Sequence, residues 1–539
     1  MKIIGFGGST HDFSVCLVEN GEVKIAIEEE RLAKKKYGYG CELRENLAYK
    51  YVLEKTNTKE AEIDYFVSND LLNKDYFDCV KGKMSQLYNH HYTHAASAFY
   101  ESGFEDTAIL VIDHSGSIIK DSKGLSTETI SYYRGTENRI ALMDRVSGDG
   151  EIKNGIVKKP NNSIGYFYSM IAKMLGCQSM GGDNKIHSES GKLMGLSSYG
   201  KPVYKEDFER FIRFEQGQVE IEIENIRQYV EKVLAETKSE QETKMNLAAT
   251  AQKILEDLVV KCADYLYEIT KSKNICIAGG VGLNGLANQK ILMDTKFENI
   301  FICPAANDAG TSIGAALSKF YEKNNCSKKE MKNNFYGFSY NNEEIEQSLE
   351  KQQDKIFYSK LANGEKLAAK LIKENRIIAW YQGGSEFGPR SLGNRSILAN
   401  PCNPKMKDIL NNRVKFRESY RPFAPAVMAE HEKEYFEMIK SNEYMLLIPE
   451  TNKEVISRIP AVVHVDGTAR VQSVTKTFNP QFYSVIQEFY KLSSIPVVLN
   501  TSFNIKGRPI CESPHDAIDC FLESDIDYLF MGNYLVWKI

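Results

Sequence analysis

MKIIGFGGSTHDFSVCLVENGEVKIAI, residues 1–27, sets short apolar runs between turn signals. It predicts a strand over 3–7, a loop Gly8-Ser9-Thr10-His11-Asp12, a strand over 13–18, an Asn20-Gly21 hairpin turn and a strand over 23–27. A second apolar strand, 108–112, runs into Asp113-His114-Ser115-Gly116, so small and acidic residues again follow a strand. Two such starts in one chain predict a duplicated α/β architecture. A third place has a strand over 274–278, then Gly279, Gly280, Gly282 and Asn284 in IAGGVGLNG, then a helix over 286–293. Strand, glycine loop and helix in that order can turn backbone N–H groups toward a phosphate.

At 539 residues the chain has room for roughly three or four compact units of about 150 residues. Its polar, weakly periodic stretch 321–355 marks the expected boundary, giving domains over 1–335 and 336–539. Hydrophobic residues at 42%, charged residues at 26% and only 14 Pro place the chain among globular proteins. The net charge of -4 provides no bulk attraction for nucleic acid or an anionic membrane, so neither is an expected partner. No run reaches the ~18 apolar residues of a membrane span, and the first residues enter a strand directly, which leads us to expect a cytoplasmic protein. The 11 Cys, from Cys16 through Cys41 to Cys520, are odd in number and form no CxxC pair, so they read mostly as small buried hydrophobes.

Three of the nine His fall within HHYTH, residues 90–94, at the start of a helix-favouring stretch. His90 and His94 are i and i+4 on one helical face, where two imidazoles can chelate one ion. Such a pair needs carboxylates to complete it. Asp308 in PAANDAGT (304–311) and Asp113 at the end of the second strand are the candidates.

The C-terminal part is rich in groups that suit oxyanions. YQGGSEFGPRSLGNRS (381–396) sets Arg390, Arg395 and three Ser, Ser396 among them, between four Gly, and Lys415, Arg417 and Arg421 follow. VHVDGTARVQ (463–472) alternates so that, as a strand, His464, Asp466, Thr468, Arg470 and Gln472 share one face. The apolar run 496–499 delivers Asn500, Ser502 and Asn504 to a strand end.

With these motifs in hand, the chain resembles the O-carbamoyltransferases of the nodulation-factor and antibiotic-tailoring type. The similarity runs through STHDFSVCLV (9–18), HHYTHAASAFY (90–100), SIGYFYSM (163–170), GKLMGLSSYG (191–200), IAGGVGLNG (277–285), PAANDAGTSIGAA (304–316), YQGGSEFGPRSLGNRSILA (381–399), FRESYRPFAP (416–425) and NTSFNIKGRPI (500–510). The resemblance implies an actin-like (ASKHA) duplicated N-terminal domain and a C-terminal α/β domain similar to threonylcarbamoyl-adenylate synthase. It implies an ATP-dependent enzyme in which the C-terminal domain makes carbamoyl-adenylate from carbamoyl phosphate and ATP with its Mg. The N-terminal domain would then pass the carbamoyl group to a small-molecule hydroxyl acceptor of natural-product or antibiotic biosynthesis.

The same resemblance assigns roles. Arg390, Arg395, Lys415, Arg421 and Arg470 would neutralise phosphates, with Ser396, Asn500, Ser502 and Asn504 as neutral donors. His90, His94, Asp113 and Asp308 would hold Fe(II) or another divalent metal. Lys192, Asn284, Gly279, Gly280 and Gly282 would surround the nucleotide, and His11, with a near-neutral pKa, would take the acceptor proton. One departure stands out: where the family reads Asp-Gly-x-Gly-Glu, this chain has Asp113-His114-Ser115-Gly116-Ser117 followed by IIKDSKGLSTET (118–129). The alternatives are a tRNA threonylcarbamoyl-type transferase, against which the net charge speaks, and a non-catalytic actin-like regulator, which would need neither the His pair nor the Arg-rich second domain. The acceptor is not legible, and a homo-oligomer is compatible with this reading.

Overall fold

The computed structural model describes residues 1–38, 45–122, 124–153, 156–182 and 184–539. The chain divides into two compact units, one of Met1–Ala33 with Tyr37–Met331, the other of Lys34–Lys36 with Lys332–Ile539.

The first unit contains two mixed sheets of the same pattern. In one, the order is Glu22–Glu28, Ser14–Glu19, Lys2–Gly7, Tyr65–Asn69, Met84–Tyr88; the first three strands are antiparallel and the last two join in parallel. Asn20 and Gly21 take φ of 52° and 77°, as a two-residue turn between right-twisted strands requires. In the other, Asp106–Ile112 takes the central place. Gly124–Thr136 and then Arg139–Gly148 lie antiparallel on one side, and Asn274–Ala278 and Asn299–Ile302 lie parallel on the other. The residues after Asp113 fold as an added hairpin, with Ile118–Asp121 pairing the start of Gly124–Thr136.

Helix Thr311–Lys323 packs against helix His90–Glu101 so closely that a Cβ on Gly314 would lie 1.8 Å from the Thr93 carbonyl oxygen. Small residues at this crossing let the turn before the second helix meet the first turn of the other.

The second unit is built on an eight-stranded mixed sheet. Its order is Ile356–Lys360, Tyr534–Lys538, Tyr528–Met531, Ile378–Tyr381, Arg395–Ala399, Val497–Ser502, Ala424–Met428, Gln472–Val474. Helices Gly364–Lys373 and Pro480–Ser493 cover it through Ala368, Ile372, Phe482, Val485 and Phe489, all fully buried with Trp380.

Within the polar segment 321–355, Asn342–Glu350 is a helix with an Asn341/Glu344 capping box, each side chain accepting the other residue's N–H at the helix N-terminus. One expectation is corrected. Residues 463–471 are not a strand. Gly467 donates to the His464 carbonyl at 3.0 Å, His464 to the Thr468 carbonyl at 2.8 Å, and Asp466 accepts the Thr468 N–H at 3.0 Å, so Asp466-Gly467 is a turn and the strand begins at Gln472. Most cysteines among the described residues are buried, as read; Cys79 and Cys326 are exposed, and Cys41 lies outside the described residues.

Candidate functional site

The first unit gathers two imidazoles and two carboxylates. Asn89 caps helix His90–Glu101 by accepting the Tyr92 N–H, which fixes His90 and His94 on the first turn, both fully buried. Asp113 continues the ladder beyond Ile112, its N–H bonded to the Thr129 carbonyl at 3.1 Å, so the hairpin inserted after it does not displace it. Asp308 opens the short turn Asp308–Gly310 that leads into helix Thr311–Lys323.

The ligand atoms of His90, His94, Asp113 and Asp308 lie within 4.8 Å of one another. His90 Nε2 is 3.4 Å from Asp113 and 3.6 Å from Asp308; His94 Nε2 is 3.7 Å and 3.4 Å from the same two. Burial disfavours a charged His90, but Asp308 and Asp113 outweigh it and push its pKa up to about 10. The two carboxylates are buried, yet the facing imidazoles hold both below the usual range. His94 Nε2 has no hydrogen-bond partner despite full burial. Two imidazoles and two carboxylates converging in this way fit a divalent cation, which would take the place of the His90 proton. His91, the third His, instead bonds Ser131 Oγ through Nδ1 at 2.7 Å and packs under Gly116; burial lowers it to about 3.

His11 lies beside this group. Its loop is tied to the Asp308 turn by Gly8 N–H to Thr311 Oγ1 at 3.0 Å and by Asn307 Nδ2 to Asp12 Oδ2 at 3.0 Å. The expected near-neutral pKa is corrected: burial lowers it, but Asp12, 3.3 Å from Nδ1, overrides burial and His11 is raised to about 9. Sequence reading missed the rings around it. Tyr37 and His187 stack at 4.3 Å and both stand edge-on to His11. Their separation along the chain leaves no sequence signal.

Gly279 takes φ of 86°, and a Cβ there would lie 2.3 Å from the Ile112 carbonyl oxygen. Two of the loop's donors are occupied: Gly280 N–H bonds Asp113 Oδ1 at 3.2 Å and Gly282 N–H bonds the Gly279 carbonyl at 2.8 Å. Asn284 caps helix Gly285–Asp294 and exchanges two bonds of 3.0 Å with Gln252, while Lys192 Nζ donates to the Gln178 carbonyl at 3.3 Å. In this arrangement the glycine turn braces Asp113.

In the second unit the structure brings Arg390, Lys415, Arg417, Arg421 and Arg470 into mutual repulsion. Burial lowers Arg390 to about 10, helped by Arg421. It lowers Lys415 to about 7 and Arg417 to about 9, and Arg470 also falls, with Arg390, Arg417 and Arg421 adding to the effect. Arg390 Nε and Arg470 Nε are buried with no hydrogen-bond partner. Desolvated like charges are costly unless an anion joins them.

Arg395 differs from these. Fully buried over the Tyr381 ring at 3.6 Å, it donates to the carbonyls of Gln382, Gly383, Asn394 and Glu512. These bonds brace the loop. Lys415 Nζ donates to Asn504 Oδ1 at 2.8 Å and to Ser502, joining the strand end to the cations. Asn500 bonds Gln472 and the Ser391 carbonyl, and Ser396 accepts the Gly393 N–H.

Lys415 gives a pH prediction. Its folded pKa lies below the unfolded value of 10.5, so its charge is present below about 7 and lost as pH rises. Sulfate, a dianion throughout, should bind more weakly at pH 8.5 than at pH 6.5. At pH 8.5 its binding should take up close to one proton, read as a buffer-dependent enthalpy; zero uptake would remove Lys415 from the anion site.

Two family models match the chain, carbamoyltransferase N-terminus over residues 75–317 and carbamoyltransferase C-terminus over residues 369–538, and the chain belongs to the carbamoyltransferase family. It is an enzyme that transfers carbamoyl groups, as the motif resemblance implied. Nodulation protein NolNO of Sinorhizobium fredii is 32% identical over 98% of this chain and 79% of its own length. Nodulation protein NolO of Bradyrhizobium diazoefficiens is 34% identical over 84% and 79%. A solved structure of full-length HypF in the phosphate- and nucleotide-bound form matches 60% of this chain and 46% of that one at 14% identity and a TM-score of 0.40. Among the described residues no helix is long and apolar enough to cross a membrane.

Proposed function

We propose that this carbamoyltransferase is ATP-dependent and works in two steps, one in each unit. The observation that carries the reading is the cationic group of the second unit, in which half-buried Arg390 and Arg470 each keep a buried Nε with no hydrogen-bond partner and Lys415 is buried. Carbamoyl phosphate would be bound there, and water would attack its phosphorus and break the P–O bond, giving phosphate and a carbamate that keeps both carbon-bound oxygens. A carbamate oxygen would then attack the α-phosphorus of Mg-bound ATP, forming carbamoyl-adenylate and expelling pyrophosphate. Arg390, Lys415, Arg421 and Arg470 would neutralise charge on the phosphates as it moves, with Ser502 and Asn504 fixing Lys415.

The paired sheets of the first unit support reading it as an actin-like duplication that performs the transfer. His11 would take the proton of an acceptor hydroxyl as its oxygen attacks the carbamoyl carbon, and AMP would leave with the bridging oxygen. His90, His94, Asp113 and Asp308 would hold Fe(II) or another divalent ion, which when bound would supply Lewis-acid neutralisation of the adenylate phosphate. Gly279, Gly280 and Gly282, with Asn284 and Lys192, would border the nucleotide. The acceptor would be a small molecule bearing a hydroxyl, as in natural-product tailoring.

The test is pyrophosphate release by the full chain. Release from ATP should require carbamoyl phosphate, and Arg470→Ala should lower it by about 10²–10³-fold, the usual loss for one preorganised charge-stabilising donor. Equal release without carbamoyl phosphate would reject adenylate formation.

A further inference from the structure

The loop that carries Arg390 is folded around one carboxylate. Glu386 is almost fully enclosed, and its Oε1 accepts the N–H groups of Leu392 at 2.6 Å, Asn394 at 2.9 Å and Arg395 at 3.3 Å. The loop's carbonyls are held from the opposite side: Gln472 Nε2 donates to Leu392 O at 2.9 Å and Asn500 Nδ2 to Ser391 O at 3.2 Å. Glu386 thus gathers donors on both flanks of the turn between Arg390 and Arg395, with Gly388 and Gly393 at φ of 116° and 106° supplying the bends. Its second oxygen is buried without a hydrogen-bond partner, so the three backbone bonds account for what the structure gives this buried charge.

We infer that Glu386 is a positioning residue for the oxyanion site: it sets the loop that holds Arg390 against Arg421 and Arg470, and so governs affinity for carbamoyl phosphate without touching it. The physical requirement is a strong acceptor for several N–H groups at once, and bonds to an ionised acceptor are roughly twice as strong as neutral ones. The inference rests on the carbamoyl-phosphate reading of this unit.

Calorimetry with carbamoyl phosphate on the full chain tests both, separately. Glu386→Gln keeps the size and one acceptor oxygen, so the fold and the melting temperature should hold while affinity weakens about tenfold. Glu386→Asp, its carboxylate withdrawn by one methylene, should do the same. In an Arg390→Ala background Glu386→Gln should have no further effect, because the residue acts through that guanidinium. Wild-type affinity in Glu386→Gln and Glu386→Asp, or an equal tenfold loss with and without Arg390, would overturn the positioning role. If the wild-type chain itself binds no carbamoyl phosphate, the reading of the unit fails instead.

Discussion

Replacing His90 and His94 together by Ala should empty the first unit of metal and abolish carbamoylated product while pyrophosphate release continues. The two imidazoles supply half of a buried four-residue donor set, and the remaining Asp113 and Asp308 would face each other as unpaired carboxylates. Transfer should fall by about 10³-fold or more, beyond the loss of a single stabilising donor. Activation of carbamoyl phosphate should persist because its residues belong to the other unit. Elemental analysis decides the ligand assignment: metal content equal to that of the wild type in the double variant would show that these histidines do not hold it. Pyrophosphate release lost along with transfer would show that the steps are not separated as proposed.

His11→Asn should slow transfer by about 10²–10⁴-fold, the usual span for a general base, with little change in acceptor binding. The pH dependence carries the sign. Asp12 raises His11 to about 9, so the imidazole is protonated at neutral pH and a base role requires that proton to leave. Single-turnover transfer by the wild type should therefore rise with pH between about 7 and 9, and His11→Asn should lose that limb. A variant with the wild-type rate and profile would mean that His11 is a loop residue serving Asp12.

What could be read from the residues alone follows the distance over which their physics acts. The hairpin at Asn20-Gly21, the strand 274–278 and the His90/His94 helix rest on neighbours within a few positions, and all three formed as read. The His pair and its two carboxylate candidates came from the residues and were joined as one donor group by the family resemblance, and their convergence depends on a helix crossing with room only for Gly314. Alternation misled at 463–472, where an Asp466-Gly467 turn satisfied the same pattern of polar and small residues. Arg395 reads like Arg390 in sequence, yet it begins a strand over Tyr381 and donates to carbonyls, a difference set by pairing with 378–381. The Tyr37–His187 stack has no local signature because its partners lie far apart in the chain, and Glu386, whose partners lie six to nine residues on, has none because an irregular loop leaves no periodic pattern.

The sequence of bond changes can be followed with oxygen. Carbamoyl phosphate labelled with ¹⁸O in both oxygens attached to the carbamoyl carbon, incubated with the full chain, ATP and an acceptor, should yield pyrophosphate and AMP that carries one labelled oxygen. The label reaches AMP because a carbamate oxygen bonds the α-phosphorus and stays with it when the acceptor attacks carbon. Carbamoylated product formed with unlabelled AMP, or with ADP in place of AMP and pyrophosphate, would contradict a carbamoyl-adenylate intermediate.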